Sequence, residues 1–435
     1  RQMCIRDSHP TNTFRVISAL DGKPFSFTTY LFKDIKRRAG LKENIRIGLT
    51  DKPIIVVSVD EGWTLRHLYP GYHRMRDMLV ELGIPGTWFV TIGPTWKAWD
   101  NHREKCDAFF AGLTALGHEL ANHVWDHVRV DKNAKELPKC IMKIQEYIKA
   151  NYSQVPTGFK APAWHLNWTI ISTLEEIPEM EYTAVTGSNK AYGFGFWGEE
   201  RSDILNTVLW GLHNIRYEHD YKVFYIKASH LPLPKMANYE RYLEVYNWAI
   251  INGFSLIVIY GHRGDWDNST RYALTRRFLE EHVLQAKAYA ATLRWFVRLY
   301  KALRNIDITA SGDSIIIYGR FPHHDMHYQL AISGQKVIEA VRIDGVETRM
   351  FSNSLVYIPG GANHTITIEL GLRPMEPYLI RADLVQNGWA MLISTSYREG
   401  EIEIAIKGPS GRFLTLVFLA SEPPDEVIVD GSFLI

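Results

Sequence analysis

With 435 residues, a net charge of +1, and 46% hydrophobic against 22% charged side chains, the chain is long enough to bury two cores. It has neither the basic field that holds nucleic acid nor the acidic excess of a disordered chain. Three cysteines (Cys4, Cys106, Cys140) are too few for a disulfide framework, and no run of ~18 apolar residues is present to span a membrane. No signal peptide is visible ahead of the first patterned segment, so a soluble protein is expected. Aromatic residues reach 12%, with 13 Trp, a content that suits sugar stacking and core filling alike.

Residues 1–50 hold a short alternating segment and a Gly22-Lys23-Pro24 turn and are assigned no chemistry. From 51 to 304 strands and helices alternate. Ile54 to Val59 is a continuous β-branched run, as in strands buried on both faces, and it stops at Asp60-Glu61-Gly62-Trp63. Tyr72 to Leu82, Lys105 to Leu116 and Lys135 to Ala150 carry helical periodicity. Thr87 to Thr91, Phe159 to Trp164, Tyr182 to Val185, Phe224 to Lys227 and Leu256 to Tyr260 read as strands. Thr270 to Asn305 reads as one long amphipathic helix. This order predicts parallel strands wrapped by helices, whose carboxyl ends are where such folds keep their chemistry.

After Ile306 the period changes to two. Ser314–Tyr318, Tyr328–Ser333, Val337–Ile343, Leu355–Ile358, His364–Leu370, Met391–Ser394, Glu401–Lys407, Phe413–Leu419 and Glu426–Val429 are expected strands, separated by turns such as Pro359-Gly360-Gly361. Residues 305–435 are therefore read as an all-β sandwich.

Two histidine pairs have i,i+4 spacing, which lets both rings reach one metal ion from a single face of a helix or turn. With 17 histidines in the chain, about one such pair arises by chance, so the surroundings decide. His123/His127 follows Gly117-His118-Glu119 at the end of an apolar segment and is the candidate metal pair. His323/His327 lies in a β-rich region and is read as an exposed loop. His262 closes the Leu256–Tyr260 strand, with Asp265 three residues on. Trp63, Trp125, Trp164 and Trp266 lie beside these polar groups, where they can wall a sugar site or pack the barrel mouth. His230 competes with His262 for an acid role but is read as structural.

The motifs Ser58-Val59-Asp60-Glu61-Gly62, Gly117 through His127, Lys160-Ala161-Pro162-Ala163-Trp164 and Ile257 through His262, in this order, resemble the polysaccharide deacetylase family, the NodB-homology group of carbohydrate esterases. The resemblance covers about residues 50–270. It implies a distorted (β/α)7 barrel ahead of the C-terminal sandwich, and metal-dependent removal of an acyl group from an amide. By that resemblance Asp60 is the catalytic base, His262 the general acid, and Lys160 the residue in place of the arginine that holds the base. Glu61, His123 and His127 are the metal ligands. Zn2+ is the expected metal, with Co2+ or Mn2+ as substitutes, and a carbohydrate is the expected substrate. Pro162, Trp164, Trp63, Trp125 and Asp265 are placed at the substrate.

The chemistry suits these roles. A divalent metal with open positions lowers the pKa of water and polarises a carbonyl, a carboxylate takes the proton, and an imidazole returns one to the leaving amine. The sequence also departs from the family. Glu61 replaces an aspartate, Val124 replaces a hydroxyl residue, and Lys160 offers a point charge where a planar fork would grip both carboxylate oxygens. Adjacent Asp60 and Glu61 can both face inward only if the strand ends there. A small-amide C–N hydrolase on the same barrel, or a glycan-binding protein with impaired catalysis, are the alternative readings.

Overall fold

The computed structural model describes residues 45–48, 50–60, 70–93, 103–126, 135–162, 168–185, 224–227, 239–240, 243, 246–247, 256–382, 391–408 and 415–427. They fall into two compact units. Of the described residues, the first holds those within 55–287 and 291–297; the second holds those within 45–54, 288–290 and from Arg298 onward.

The first unit is a strand–helix alternation. Strand β2 (Ile54–Asp60) is buried at every position, as its β-branched run requires. Then come α1 (Pro70–Glu81), β3 (Gly86–Val90), α2 (Arg103–Ala115), β4 (Glu119–Asn122), α3 (Leu137–Asn151), β5 (Gly158–Lys160), α4 (Trp168–Glu176), β6 (Tyr182–Val185), β7 (Phe224–Lys227) and β8 (Leu256–His262). These strands form one sheet in the order β7-β6-β5-β4-β3-β2-β8. The pairings from β2 through β7 are parallel. Chain order is thus kept from one strand to the next, the arrangement of an α/β barrel rather than of a doubly wound sheet. In register, Asp60 lies opposite Phe89, Val90 opposite Asn122, and Lys160 opposite Ala184. The carboxyl ends of β2, β4 and β5 therefore share one rim.

After β8 come α5 (Arg263–Asp267) and α6 (Ser269–Leu279), which closes in a π-helical turn at Glu280–Leu284. The single helix expected over Thr270–Asn305 is not formed. Ala286 adopts a left-handed φ of 56°, β9 (Tyr289–Ala290) is extended, and a separate helix, α7, spans Leu293–Arg304. Tyr289 explains the break. Its N–H donates to the Pro53 carbonyl (2.8 Å) and its hydroxyl to Asp51 Oδ1 (2.8 Å), bonds that a continuous helix would forgo.

The second unit is built from antiparallel strands. A five-stranded sheet runs β10 (Asp307–Ser311), β11 (Ser314–Phe321), β16 (Ala362–Gly371), β13 (Val337–Ile343), β14 (Val346–Thr348). A three-stranded sheet runs β1 (Arg46–Gly48), β12 (His327–Ser333), β15 (Leu355–Pro359). Two hairpin-like pairs, β17 (Tyr378–Ala382) with β20 (Leu416–Leu419) and β18 (Met391–Arg398) with β19 (Glu401–Lys407), complete it. Period-two burial holds on β11, where Ile315, Ile317 and Phe321 are buried and alternate with exposed positions. Four of these strands, β1, β10, β14 and β17, lie outside the expected set. Glu426 and Val427 are not in a strand, and the rest of that expected strand lies outside the described residues.

Within the segment up to residue 50 that the sequence left unassigned, Arg46–Gly48 pairs antiparallel with β12, Arg46 opposite Ser333. The β unit is thus split in sequence, with the barrel inserted after its first strand. Among the described residues no helix is long and apolar enough to cross a membrane.

Candidate active site

The rim at the strand ends gathers Asp60, His123, Lys160 and His262. Strand β2 stops at Asp60, whose carbonyl accepts a hydrogen bond from the buried Tyr72 hydroxyl (2.8 Å). Glu61 itself lies outside the described residues, as do Trp63, His127, Trp164 and His230.

Lys160, the last residue of β5, turns inward and places Nζ 2.6 Å from Asp60 Oδ1. Both side chains are almost wholly buried, at 1% and 3% exposure. The ammonium is also flanked by rings, 3.7 Å from the Tyr260 centroid and 5.1 Å from that of Phe89. Burial alone would raise the Asp60 carboxyl. The Lys160 ammonium, with His123 and His262 adding to it, overcomes that penalty and holds it below the ordinary carboxylate value. Burial pulls Lys160 down to about 7, against the opposing pull of Asp60. Asp60 is therefore an ionised carboxylate in a dry site, the state a general base needs.

His123 is held by its backbone. Its N–H donates to the Val90 carbonyl (3.0 Å), and its own carbonyl accepts from Thr91 Oγ1 (3.0 Å). Next to it Val124 adopts a left-handed φ of 65°, uncommon and strained for a β-branched residue. Asn122 Oδ1 accepts the Val124 N–H (3.0 Å), and Asn122 Nδ2 donates to the Ile141 carbonyl (2.9 Å). β4 ends at Asn122 and the chain bends at Val124, so His123 sits in a strand-end turn.

The His123 ring is oriented through its Nδ1. Nδ1 lies 2.7 Å from the Lys160 carbonyl. A carbonyl only accepts, so Nδ1 carries the proton and Nε2 the lone pair. That tautomer is the one a metal-ligating histidine adopts, with its second nitrogen tied to a backbone oxygen. The donor chemistry of His123 thus fits a divalent metal. Among the described residues no group of three His, Cys, Asp or Glu side chains gathers to hold one.

His262 ends β8 with its side chain half exposed. Its N–H donates to Asp265 Oδ2 (2.9 Å), so Asp265 caps α5, and Asp265 Oδ1 accepts from Arg271 (3.0 Å). The His262 ring nitrogen Nδ1 is 3.9 Å from Asp265 Oδ2. Both Asp265 oxygens are thus engaged by the protein.

The tryptophan walls fare differently. Trp125 is buried, with Lys143 Nζ 4.0 Å from its ring centroid and Tyr147 edge-on at 5.5 Å, so its ring packs the rim and does not face a sugar. Trp266 is fully buried, and Pro162 is buried too. His323, His324 and Asp325 lie in a loop, the last two exposed, as expected, but His327 is the buried first residue of β12.

Two polar groups escaped the sequence reading. Tyr260 touches both Lys160 and His262; its signal is a phenol inside an aliphatic strand two residues before His262, hence on the same face. Glu119 opens β4 at the opposite end of the sheet. It accepts from Tyr182 Oη (2.8 Å), Thr87 Oγ1 (2.9 Å) and the Arg294 N–H (3.0 Å), and burial raises its pKa. It ties β3, β4 and β6 to the first turn of α7 and is structural.

Residues 48–184 match the family model described as polysaccharide deacetylase. No curated protein matches the chain. Among solved structures, the carbohydrate esterase family 4 domain of a multidomain xylanase from the hindgut metagenome of Trinervitermes trinervoides is 14% identical over 58% of this chain and 92% of its own, with a TM-score of 0.34. A family 4 carbohydrate esterase from Streptomyces lividans, in complex with acetate, is 14% identical over 55% and 92%, at 0.31. A family 4 pseudoenzyme from Bacillus anthracis is 9% identical over 57% and 66%, at 0.34. Over residues 48–184, the chain is thus similar to the polysaccharide deacetylase family.

Proposed function

We propose that the protein is a metal-dependent deacetylase that hydrolyses N-acetyl, or O-acetyl, groups on a polysaccharide or oligosaccharide. The observation that carries this reading is the buried Asp60–Lys160 pair beside a His123 ring whose Nδ1–H is already committed to a carbonyl. His123, together with Glu61 and His127, would hold the metal: Zn2+, with Co2+ or Mn2+ able to replace it. When bound, the metal supplies Lewis acidity and a more acidic water. Asp60, kept ionised by Lys160, takes the proton of the attacking water as the new C–O bond forms. His262, at the solvent edge, gives a proton to the nitrogen as the C–N bond breaks, so that acetate and a free amine leave.

The second unit is read as a β-sandwich accessory module. A glycan-binding protein with impaired catalysis stays as the second reading, because Lys160 grips Asp60 through one oxygen where a guanidinium would hold two.

The test is deacetylation of chitooligosaccharides and peptidoglycan fragments with Zn, Co or Mn added back, alongside metal analysis of protein purified without chelator. Turnover with one bound divalent ion, lost in His123→Ala along with the ion, supports the reading. A metal-free protein that binds these glycans without turnover supports the second one, and turnover retained in His123→Ala rules out the ligand set.

A further inference from the structure

Tyr260 is buried near the end of β8, in the run Leu256-Ile257-Val258-Ile259-Tyr260 where every other side chain is aliphatic. A phenol placed there for packing alone would bring a hydroxyl that needs a partner. The Tyr260 hydroxyl instead faces the His262 imidazole, 2.7 Å from Nε2 and 3.1 Å from Nδ1, with the two rings edge to face at 5.0 Å. Its ring face lies 3.7 Å from Lys160 Nζ. Burial first, and then the neighbouring Asp60 carboxylate, push the phenol well above its usual pKa, so it stays a neutral donor.

One side chain therefore meets three of the four groups of the rim, Lys160, His262 and Asp60. Lys160 is a point charge on a flexible stem and cannot fix the angle of the carboxylate it holds. The aromatic walls on the ammonium supply the missing constraint, because a cation settles over a ring face. His262 has its backbone capped by Asp265, and the Tyr260 hydroxyl meets its ring from the barrel side.

We propose that Tyr260 is a positioning residue that fixes the spacing between the Asp60–Lys160 pair and the His262 imidazole. This rests on the reading of Asp60 as base and His262 as acid. Tyr260 acts through these groups and needs no contact with the acyl group.

The experiment compares Tyr260→Phe, which keeps the ring over Lys160, with Tyr260→Leu, which loses ring and hydroxyl. Each is assayed for kcat and KM on chitooligosaccharides and for the imidazole 15N signals of His262, assigned with His262→Gln. In Tyr260→Phe, kcat should fall about tenfold with KM within about twofold, as for one lost hydrogen bond in a dry site, and the His262 signals should move. In Tyr260→Leu, kcat should fall further, with the fold retained by circular dichroism. Unmoved His262 signals in Tyr260→Phe overturn the proposal, whether or not turnover changes. If the wild-type protein does not deacetylate while the His262 signals still move, the functional reading fails and the positioning role stands.

Discussion

Lys160 and Asp60 lie 100 residues apart in the chain and their charged groups meet at 2.6 Å, sealed from solvent, although two strands separate β5 from β2 in the sheet. Removing one partner of such a pair strands the other as an uncompensated buried charge, at a cost of about 3–5 kcal/mol. Lys160→Met should thus lower stability by about that much and abolish turnover, while Asp60→Asn should abolish turnover at smaller cost, since the Lys160 amine, already pulled down to about 7 by burial, can shed its proton once the carboxylate is gone. Denaturant melts of both variants check the order. Equal, small losses would mean the pair is solvated in solution.

Glu119 predicts a structural effect with no link to the rim. Glu119→Ala leaves the Tyr182 and Thr87 hydroxyls and the Arg294 N–H without their acceptor, and should cost about 3 kcal/mol. The KM and kcat of the folded fraction should not change. A change in kcat would mean that the two ends of the sheet are coupled.

Gly158 has no room for a side chain. A Cβ there would lie 2.1 Å from Tyr182 Cζ and 2.2 Å from its hydroxyl oxygen. Gly158→Ala should push that ring aside, break its bond to Glu119, and destabilise the protein by about 1–3 kcal/mol. The thermal midpoint of the variant reads this directly, and an unchanged midpoint would rule out the close contact.

His282, in the π-helical turn, is buried against Tyr246 (4.1 Å between centroids) and Phe278 (4.5 Å). Among the described residues neither of its ring nitrogens has a hydrogen-bond partner. Burial, helped by Lys287 and opposed by Glu281, lowers its pKa from the usual 6.5 to about 4. The folded protein therefore takes up this proton later than the unfolded chain does. Stability should be intact above pH 6.5 and fall as pH drops towards 4. Urea midpoints at pH 7.5 and 5 should differ more for the wild type than for His282→Phe. Equal differences would show that other groups set the acid limb.

The first unit was legible where burial and function agree. An all-apolar strand must be buried on both faces, and charges at its end must serve a rim, so the positions of Asp60 and His262 follow from Ile54–Val59 and Leu256–Tyr260. The turn at Val124 was not legible, because it depends on the Asn122 side chain replacing a backbone partner, and i,i+4 spacing fits a helix equally well. The long helix failed for a related reason: the amphipathic period runs through Lys287–Ala290, but strand-like bonds from Tyr289 outweigh it. Tyr260 and Glu119 were missed because their partners come from distant strands. The chemistry of Asp60, Lys160 and His123 could be argued from residue types; the tautomer of His123 needed coordinates.

Strand β1 and its partner β12 are separated by roughly 290 positions, with the whole barrel between them. A ribosome therefore releases this edge strand long before anything exists for it to pair with. Cutting the chain near residue 305, where the sequence invites a scissor, would leave the second unit with the raw edge of β12 open to neighbouring molecules. Expression of that fragment should yield aggregates unless residues 45–54 are grafted back.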